Sequence, residues 1–295
     1  MTITVQPGAT TAPAAGPVVR DDLTSEQYHA DRTSISSSGL RAILAPGCPA
    51  QFHYDREHPA APKREFDLGH AAHKLVLGEG PEFRIIDFPD YRKTAAQNER
   101  DEAYALDMVP LLTKEHDQVQ AMAEAIRQHP VAGPLFDPVS GVAELSIFWT
   151  DPRTGVRCRC RPDWLPHRQE NGRLVVVDYK TAKAVDPDAI SKAVYERGYH
   201  AQAALYLDGV KAAGLHGGQE PAFVFAFQAK TPPYLVHLVE LDFPALALGA
   251  ARNERALRIY AECERTGVWP GFNDRITYLP LPPWAERKDH EEYTP

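Results

Sequence analysis

Cysteine is scarce: Cys48, Cys158, Cys160 and Cys263 are too few and too scattered to form a disulfide framework. Cys158 and Cys160 share one face of a predicted strand. They read as reduced core residues, because a free thiol behaves as a small buried hydrophobe. An iron–sulfur site would need a clearer cysteine spacing. No run of 18 or more apolar residues occurs, so no helix is expected to span a membrane. A basic segment followed by an apolar one is missing from the start of the chain, and a cytoplasmic protein is expected. Also missing are an internal repeat, a glycine-rich phosphate loop, GxSxG and a zinc-ligand spacing. Positive charge is short as well, with 32 Lys and Arg against 40 Asp and Glu, a net charge of −8. Such a balance weighs against a protein that coats nucleic acid indiscriminately. An acidic metal site beside a local basic groove remains compatible with it, and Arg157, Arg159 and Arg161 read as one basic stripe.

What is present concentrates in Arg161–Lys180, RPDWLPHRQENGRLVVVDYK. Side chains alternate along a strand, so Asp178 and Lys180 point to one side and Tyr179 to the other. Asp163 comes from the preceding strand end, and the loop Gln169-Glu170-Asn171-Gly172 lets the chain fold back. Two carboxylates and one ammonium can then converge. Paired carboxylates suit Mg²⁺, which prefers oxygen ligands. A lysine beside them can orient or deprotonate a water, or neutralise charge developing on a phosphoryl group. Asp-x-Lys alone is a common solvated strand end, so the flanking chain has to supply more.

Residues 1–19 are rich in Pro, Ala, Thr and Gly without periodicity and read as a disordered arm, the fold starting near Leu23. Thr24–Gln27 resembles a capping box opening a short helix. A second helix begins around Ser36, Ser37 and Ser38 and ends at Pro46-Gly47. Those serines either cap the helix or offer hydroxyls to an anion. Residues 54–65 read as a surface connection. Phe66–Leu77 reads as a helix with Gly69, His73 and Leu77 on one face. His73 is either structural or, if it faces the Asp pair, a metal ligand. Residues 81–100 look like a strand and a polar loop, and Asp101–Gln128 looks helical with an interruption at Pro110.

Strands follow at Val142–Trp149, Val156–Arg161 and Leu174–Lys180. Glu144 sits mid-strand, facing either solvent or the cleft. A helix and then Tyr199–Tyr206 come next, with Gln202 and Tyr206 four apart on one face. Two more strands, Phe223–Phe227 and Tyr234–Leu241, precede an amphipathic helix, Pro244–Arg265, ended by Gly267. Trp269–Pro295 reads as an extended, fraying tail. This order suggests an α/β or α+β domain with a central mixed sheet flanked by helices.

Four segments, FDLGHAAHKLVL, TGVRCRCRPD, VVVDYKTA and GYHAQAALYLDG, together with the closing VWPGFNDRITYLPLPPWA, resemble the RecE-type (exonuclease VIII) nuclease domain. That domain belongs to the PD-(D/E)xK superfamily, alongside RecB-like and lambda-type exonucleases. The resemblance spans about Leu23 to Ala285 and implies a PD-(D/E)xK nuclease fold over residues 21–285, between an arm (1–20) and a tail (286–295). It implies that His73, Asp163, Asp178 and the Tyr179 carbonyl hold Mg²⁺, with Mn²⁺ able to substitute, and that Glu144 is a further candidate ligand. Lys180 would be catalytic, with Gln202 and Tyr206 matching the QxxxY motif beside the centre. Ser38 would meet a 5′-phosphate at the start of its helix, where Arg32 or Arg41 could add charge. The implied activity is 5′-to-3′ digestion of linear double-stranded DNA, leaving 3′ overhangs for a RecT-like annealing protein in a phage recombination module. A ring-shaped homo-oligomer, trimer or tetramer, is also implied. The alternatives are a RecB-like nuclease acting on single strands or flaps, and a non-catalytic DNA-end-binding protein on the same fold.

Overall fold

A computed structural model describes residues 16–58, 63–168 and 172–294, and the backbone of Ile3–Thr4. The chain opens with β1 (Ile3–Thr4), β2 (Val18–Arg20), α1 (Ser25–Ala30), α2 (Ser37–Ile43) and α3 (Pro49–Glu57). A short 3₁₀ turn, Arg64–Phe66, leads into α4 (Asp67–Leu77), β3 (Phe83–Ile86), α5 (Thr94–Ala105), β4 (Val109–Leu112), α6 (Thr113–Gln128) and α7 (Ala132–Leu135). Next come β5 (Gly141–Ala143), β6 (Ser146–Thr150), β7 (Arg157–Cys160), β8 (Trp164–Pro166) and β9 (Val175–Ala182). The last part holds α8 (Pro187–Glu196), α9 (Tyr199–Ala212), β10 (Ala222–Ala229), β11 (Val236–Glu240), α10 (Phe243–Thr266), β12 (Val268–Trp269) and α11 (Pro283–Tyr293).

The central sheet runs β11-β10-β9-β8-β5. β9 and β10 are parallel and the other pairs antiparallel, so the sheet is mixed. The VVVDY run of β9 is almost continuously buried because helices cover both faces. Val176 joins a core built with Ile190, Leu205, Val210, Phe225 and Leu257. Val177 and Tyr179 join the opposite core with Ala72, Leu111, Val119, Met122 and Phe136. The expected alternation about Tyr179 therefore holds. On the second face Tyr179 Oη donates to the fully buried Gln228 Oε1, and Gln228 Nε2 donates to the Met122 carbonyl at 2.8 Å. This network fixes β9 against β10 and α6.

One long hairpin feeds two sheets. Its tip, β6 and β7, pairs with β2 in a separate antiparallel sheet, and its base, β5 and β8, extends the central one. The switch occurs at Glu144, whose φ of 49° is left-handed for a residue with a Cβ. Such a kink is typical of bulges beside functional sites. Glu144 N–H donates to the Asp163 carbonyl at 3.2 Å, so the kink is closed by the residue that follows Pro162.

Several expectations are corrected. Val142–Trp149 is two strands, because the Glu144 kink interrupts pairing. Val18–Arg20 is a strand on β6, not part of an arm; of residues 1–15 only the Ile3–Thr4 backbone is described, paired with β12. Helix α3 occupies the start of the supposed 54–65 connection, started by Pro49 in its first turn. Residues 59–62 and 169–171 lie outside the described residues, and with them most of the fold-back loop Gln169-Glu170-Asn171-Gly172. Helix α5 begins within the supposed polar loop at Thr94. Pro110 lies in β4, a wholly buried strand that among the described residues pairs with β3 alone, so the missing N–H breaks no ladder on its other side. The tail carries α11, begun by Pro283 and made of charged helix formers, with no residue buried.

Candidate active site

Strand β8 accompanies β9 only as far as the pair Trp164–Val177. Beyond it the strands part, and the free edge of β9 is met by side chains. Tyr179 N–H donates to Asp163 Oδ2 at 2.7 Å, and the Tyr179 carbonyl meets His73 Nε2 at 2.9 Å. His73 reaches this edge from α4, its ring 5.1 Å from that of Tyr179. The same Nε2 stands 3.8 Å from Asp163 Oδ2. Gly69, one turn earlier, faces the strand end, where an added Cβ would lie 3.4 Å from Thr181 Oγ1.

Asp178 and Lys180 point to the α9 side. Lys180 Nζ is in ionic contact with Asp178 Oδ2, and Gln202 Nε2 donates to Oδ1 at 2.6 Å. The Tyr199 ring sits 5.2 Å from Lys180 Nζ and packs against Phe225 at 5.5 Å. This residue was not singled out from sequence, although it lies three positions before Gln202 on α9.

Burial sets the electrostatics. It pushes the Asp163 carboxyl up to about 6 against the pull of Lys180. Asp178 also rises to about 6, through burial and then the charge of Asp163. His73 is lowered, by burial first and by Lys180 second, which favours the neutral imidazole. For Lys180 burial acts downward, but the attraction of Asp178 and Asp163 outweighs it, so the ammonium is held above its ordinary value. Shifted carboxylates around a cation are a functional-site signature.

The donor atoms suit a hard divalent cation. Neighbouring ligands of an octahedral ion with bonds near 2.1 Å stand about 3 Å apart. His73 Nε2 and the Tyr179 carbonyl meet that spacing at 2.9 Å. Asp163 Oδ2 adjoins them, and Asp178 adds a second carboxylate, its Oδ2 in ionic contact with Lys180. Among the described residues no three His, Cys, Asp or Glu side chains form a ready-made cage. The set is thus two side chains and a carbonyl on one face, with Asp178 turned toward Lys180.

Of the remaining expected residues, Glu144 lies near enough for its charge to act on His73 and Asp163, and each engages partners of its own. Glu144 Oε2 is ion-paired with Arg161 at 3.0 Å. Tyr206 is buried on α9 with its ring edge-on to Phe223. Ser36, not Ser38, caps α2, its Oγ accepting from Gly39 N–H, while Ser38 Oγ bonds to Ser36 Oγ at 2.9 Å. Ser38 lines a hollow of about 240 Å³ with Arg32, Asp55, Arg56 and Arg159. Arg41 leans away, with Nη1 donating to the Arg197 carbonyl. Ser38 and Arg41 therefore do not share one hollow. The expected basic stripe is not a free surface either. Arg159 and Arg161 are buried, donate to Ser34 and Ser146, and flank the Tyr28 ring at 5.2 and 4.9 Å. Guanidiniums on alternate strand positions meet whatever element covers that face, and here α1 does.

A crystal structure of a candidate exonuclease from Eubacterium rectale superposes with a TM-score of 0.58 at 12% identity, covering 92% of this chain and 98% of that one. No curated protein matches in sequence. The family model for the PDDEXK-like domain of unknown function (DUF3799) matches residues 36–282, which include all the residues gathered around β9. The chain belongs to that PDDEXK-like family.

Proposed function

We propose that the protein is a divalent-metal-dependent exodeoxyribonuclease that digests linear double-stranded DNA from its 5′ ends. The observation that carries this reading is the convergence of Asp163, Asp178, Lys180, His73 and the Tyr179 carbonyl where β8 leaves β9. The candidate exonuclease from Eubacterium rectale shares the fold, and family membership supports nuclease chemistry. Mg²⁺, or Mn²⁺ in its place, would be held by Asp163, Asp178, His73 and the Tyr179 carbonyl. When bound it would supply charge against a phosphoryl oxygen and acidify a water.

The chain's own groups do the rest. Gln202 holds Asp178 Oδ1 and so aims Oδ2. The Tyr179 N–H does the same for Asp163. Lys180, held as ammonium by two carboxylates, places positive charge and N–H donors where a phosphodiester or its attacking water would lie. Tyr199 covers that ammonium on one side and limits water. The 3′ overhangs left by such digestion would suit a RecT-like annealing protein, and a ring-shaped trimer or tetramer would keep the enzyme on its track. Ser38 stays a candidate for the 5′-phosphate from its hollow beside Arg32 and Arg56.

End-labelled linear duplex and closed circular DNA, incubated with Mg²⁺ or with chelator, test the proposal. Mononucleotides or short products should appear from linear ends only, faster from 5′-phosphorylated than from 5′-hydroxyl ends, and only with metal. Lys180→Ala should still gain thermal stability from Mn²⁺ while cutting very slowly. Cleavage of circles, or cleavage undiminished by Asp178→Ala, would overturn the assignment.

A further inference from the structure

Arginines gather unpaired on one surface of this acidic chain. Arg41 extends from α2 across Gly198, where an added Cβ would lie 3.1 Å from Arg41 Cδ, and Nη1 donates to the Arg197 carbonyl. Arg197 itself, at the end of α8, is exposed and its side chain forms no hydrogen bond or ion pair among the described residues. Arg252, from α10, has Nη1 3.5 Å from His200 Nε2. None of the three has a carboxylate partner within ion-pair distance among the described residues. The acids next along the same helices are already engaged: Glu196 by Lys192 at 3.8 Å and Glu254 by Arg153 at 3.2 Å. Burial lowers the Arg41 guanidinium, and the nearby Arg197 and Arg252 charges push the same way. Mutual repulsion of three cations is a standing cost, which a polyanion would relieve.

The patch is joined to Asp178 and Lys180 by four residues between positions 198 and 202. Arg41 rests on Gly198, Tyr199 covers Lys180, His200 meets Arg252, and Gln202 follows two positions on, holding Asp178. A strand whose scissile phosphate lay at Lys180 would carry its neighbouring phosphates past Tyr199 toward the arginines. We propose that Arg41, Arg197 and Arg252 form a backbone-phosphate subsite that holds the substrate's phosphodiester chain next to Lys180. The inference rests on the nuclease reading and adds the surface on which the nucleic acid is tracked. It takes phosphates irrespective of base, since guanidiniums on phosphate oxygens carry no sequence information.

The test is a binding titration without cleavage. Lys180→Ala protein is titrated against fluorescent linear duplex with Ca²⁺, across about 50 to 200 mM KCl, and the slope of log affinity against log salt is read. Each arginine that neutralises one duplex phosphate contributes about 0.9 to that slope. Adding Arg41→Gln, Arg197→Gln and Arg252→Gln together should therefore lower the slope by about 2.7. The affinity lost over that salt range then becomes about fortyfold smaller. Arg197→Gln alone guards against misfolding, since its side chain holds no other part of the fold. It should lower the slope by about 0.9 with an unchanged unfolding midpoint. Unchanged slopes in both proteins overturn the subsite. Cleavage is read separately with Lys180 intact and Mg²⁺. Duplex bound with the expected slopes but never cut would remove the nuclease reading and keep the subsite. Duplex that is cut while the slopes stay put would remove the subsite alone, and no binding at all would remove both.

Discussion

Asp163 performs two tasks with one side chain. Oδ2 completes the broken ladder of β9 by accepting the Tyr179 N–H, and it stands beside His73 as a ligand candidate. The structural task works with a neutral side chain, whereas metal binding needs the anion. Its folded value of about 6 lies above the ordinary carboxylate value of 3.8. The stabilisation tied to this raised value is fully present below about pH 4 and is lost as pH rises through about 6. In chelator, Asp163 and Asp178 should therefore lower stability between pH 4 and 7, and their proton uptake belongs to the pair. Asn at position 163 keeps the acceptor and removes the buried charge. Asp163→Asn should raise metal-free stability at pH 7.5 by about 2 kcal/mol and abolish the rise in melting temperature that Mn²⁺ gives the parent. Scanning fluorimetry with chelator and with Mn²⁺ at pH 5 and 7.5 checks both signs. A variant that is less stable in chelator at pH 7.5 would show that the carboxylate is not strained there.

At the scale of elements, α9 carries the site. It supplies Gln202 and Tyr199 and is pressed onto the sheet by α10. The crossing is so close that a Cβ at Gly249 would lie 2.2 Å from the His200 carbonyl oxygen, and Asn253 Nδ2 donates to the Ala201 carbonyl at 2.7 Å. Gly209 plays the same part toward β6 and β7, where a Cβ would meet Cys160 Sγ at 2.8 Å. Gly249→Ala must push α10 off the first turn of α9. Its expected cost is about 1–3 kcal/mol, seen as a lower urea midpoint at an unchanged m-value. The cleavage rate should fall with it, because Gln202 then loses its aim on Asp178. Normal stability and rate in this variant would mean that the two helices part freely.

Across the whole molecule, the family match ends at residue 282, one residue before α11 begins, and no residue of α11 is buried. Elements without burial contribute little to global stability. Removing residues 283–295 should shift the melting temperature by no more than about 2 °C, which corresponds to less than about 1 kcal/mol for a domain of this size. A larger fall would mean that the exposed Trp284 and Tyr293 pack on something in solution, and light scattering on both forms would identify a second copy.

Much of the architecture was written locally. Thr24–Gln27 forms the expected capping box, Gly267 ends α10 in a left-handed conformation, and the alternation of β9 puts Asp178 and Lys180 on one face. These features depend on a few neighbouring residues and on backbone geometry, so spacing reveals them. The motif order brought His73, Asp163, Asp178, Lys180 and Gln202 into view together for the same reason: each sits at a fixed offset within its own element. What tertiary structure decided were the partners of long or ambiguous side chains. Arg159 and Arg161 were spaced like a groove-facing stripe, but α1 covers that face and Tyr28 takes both guanidiniums. Pro110 broke a helical pattern and became strand because β3 lay alongside it. Glu144 was suspended between solvent and cleft until Arg161 and a left-handed kink fixed it. Tyr199, Arg197 and Arg252 carry no motif, and they meet because α2, α8, α9 and α10 converge. A local pattern determines which way a residue points; the element packed opposite decides what it touches, and that is set by contacts distant in sequence.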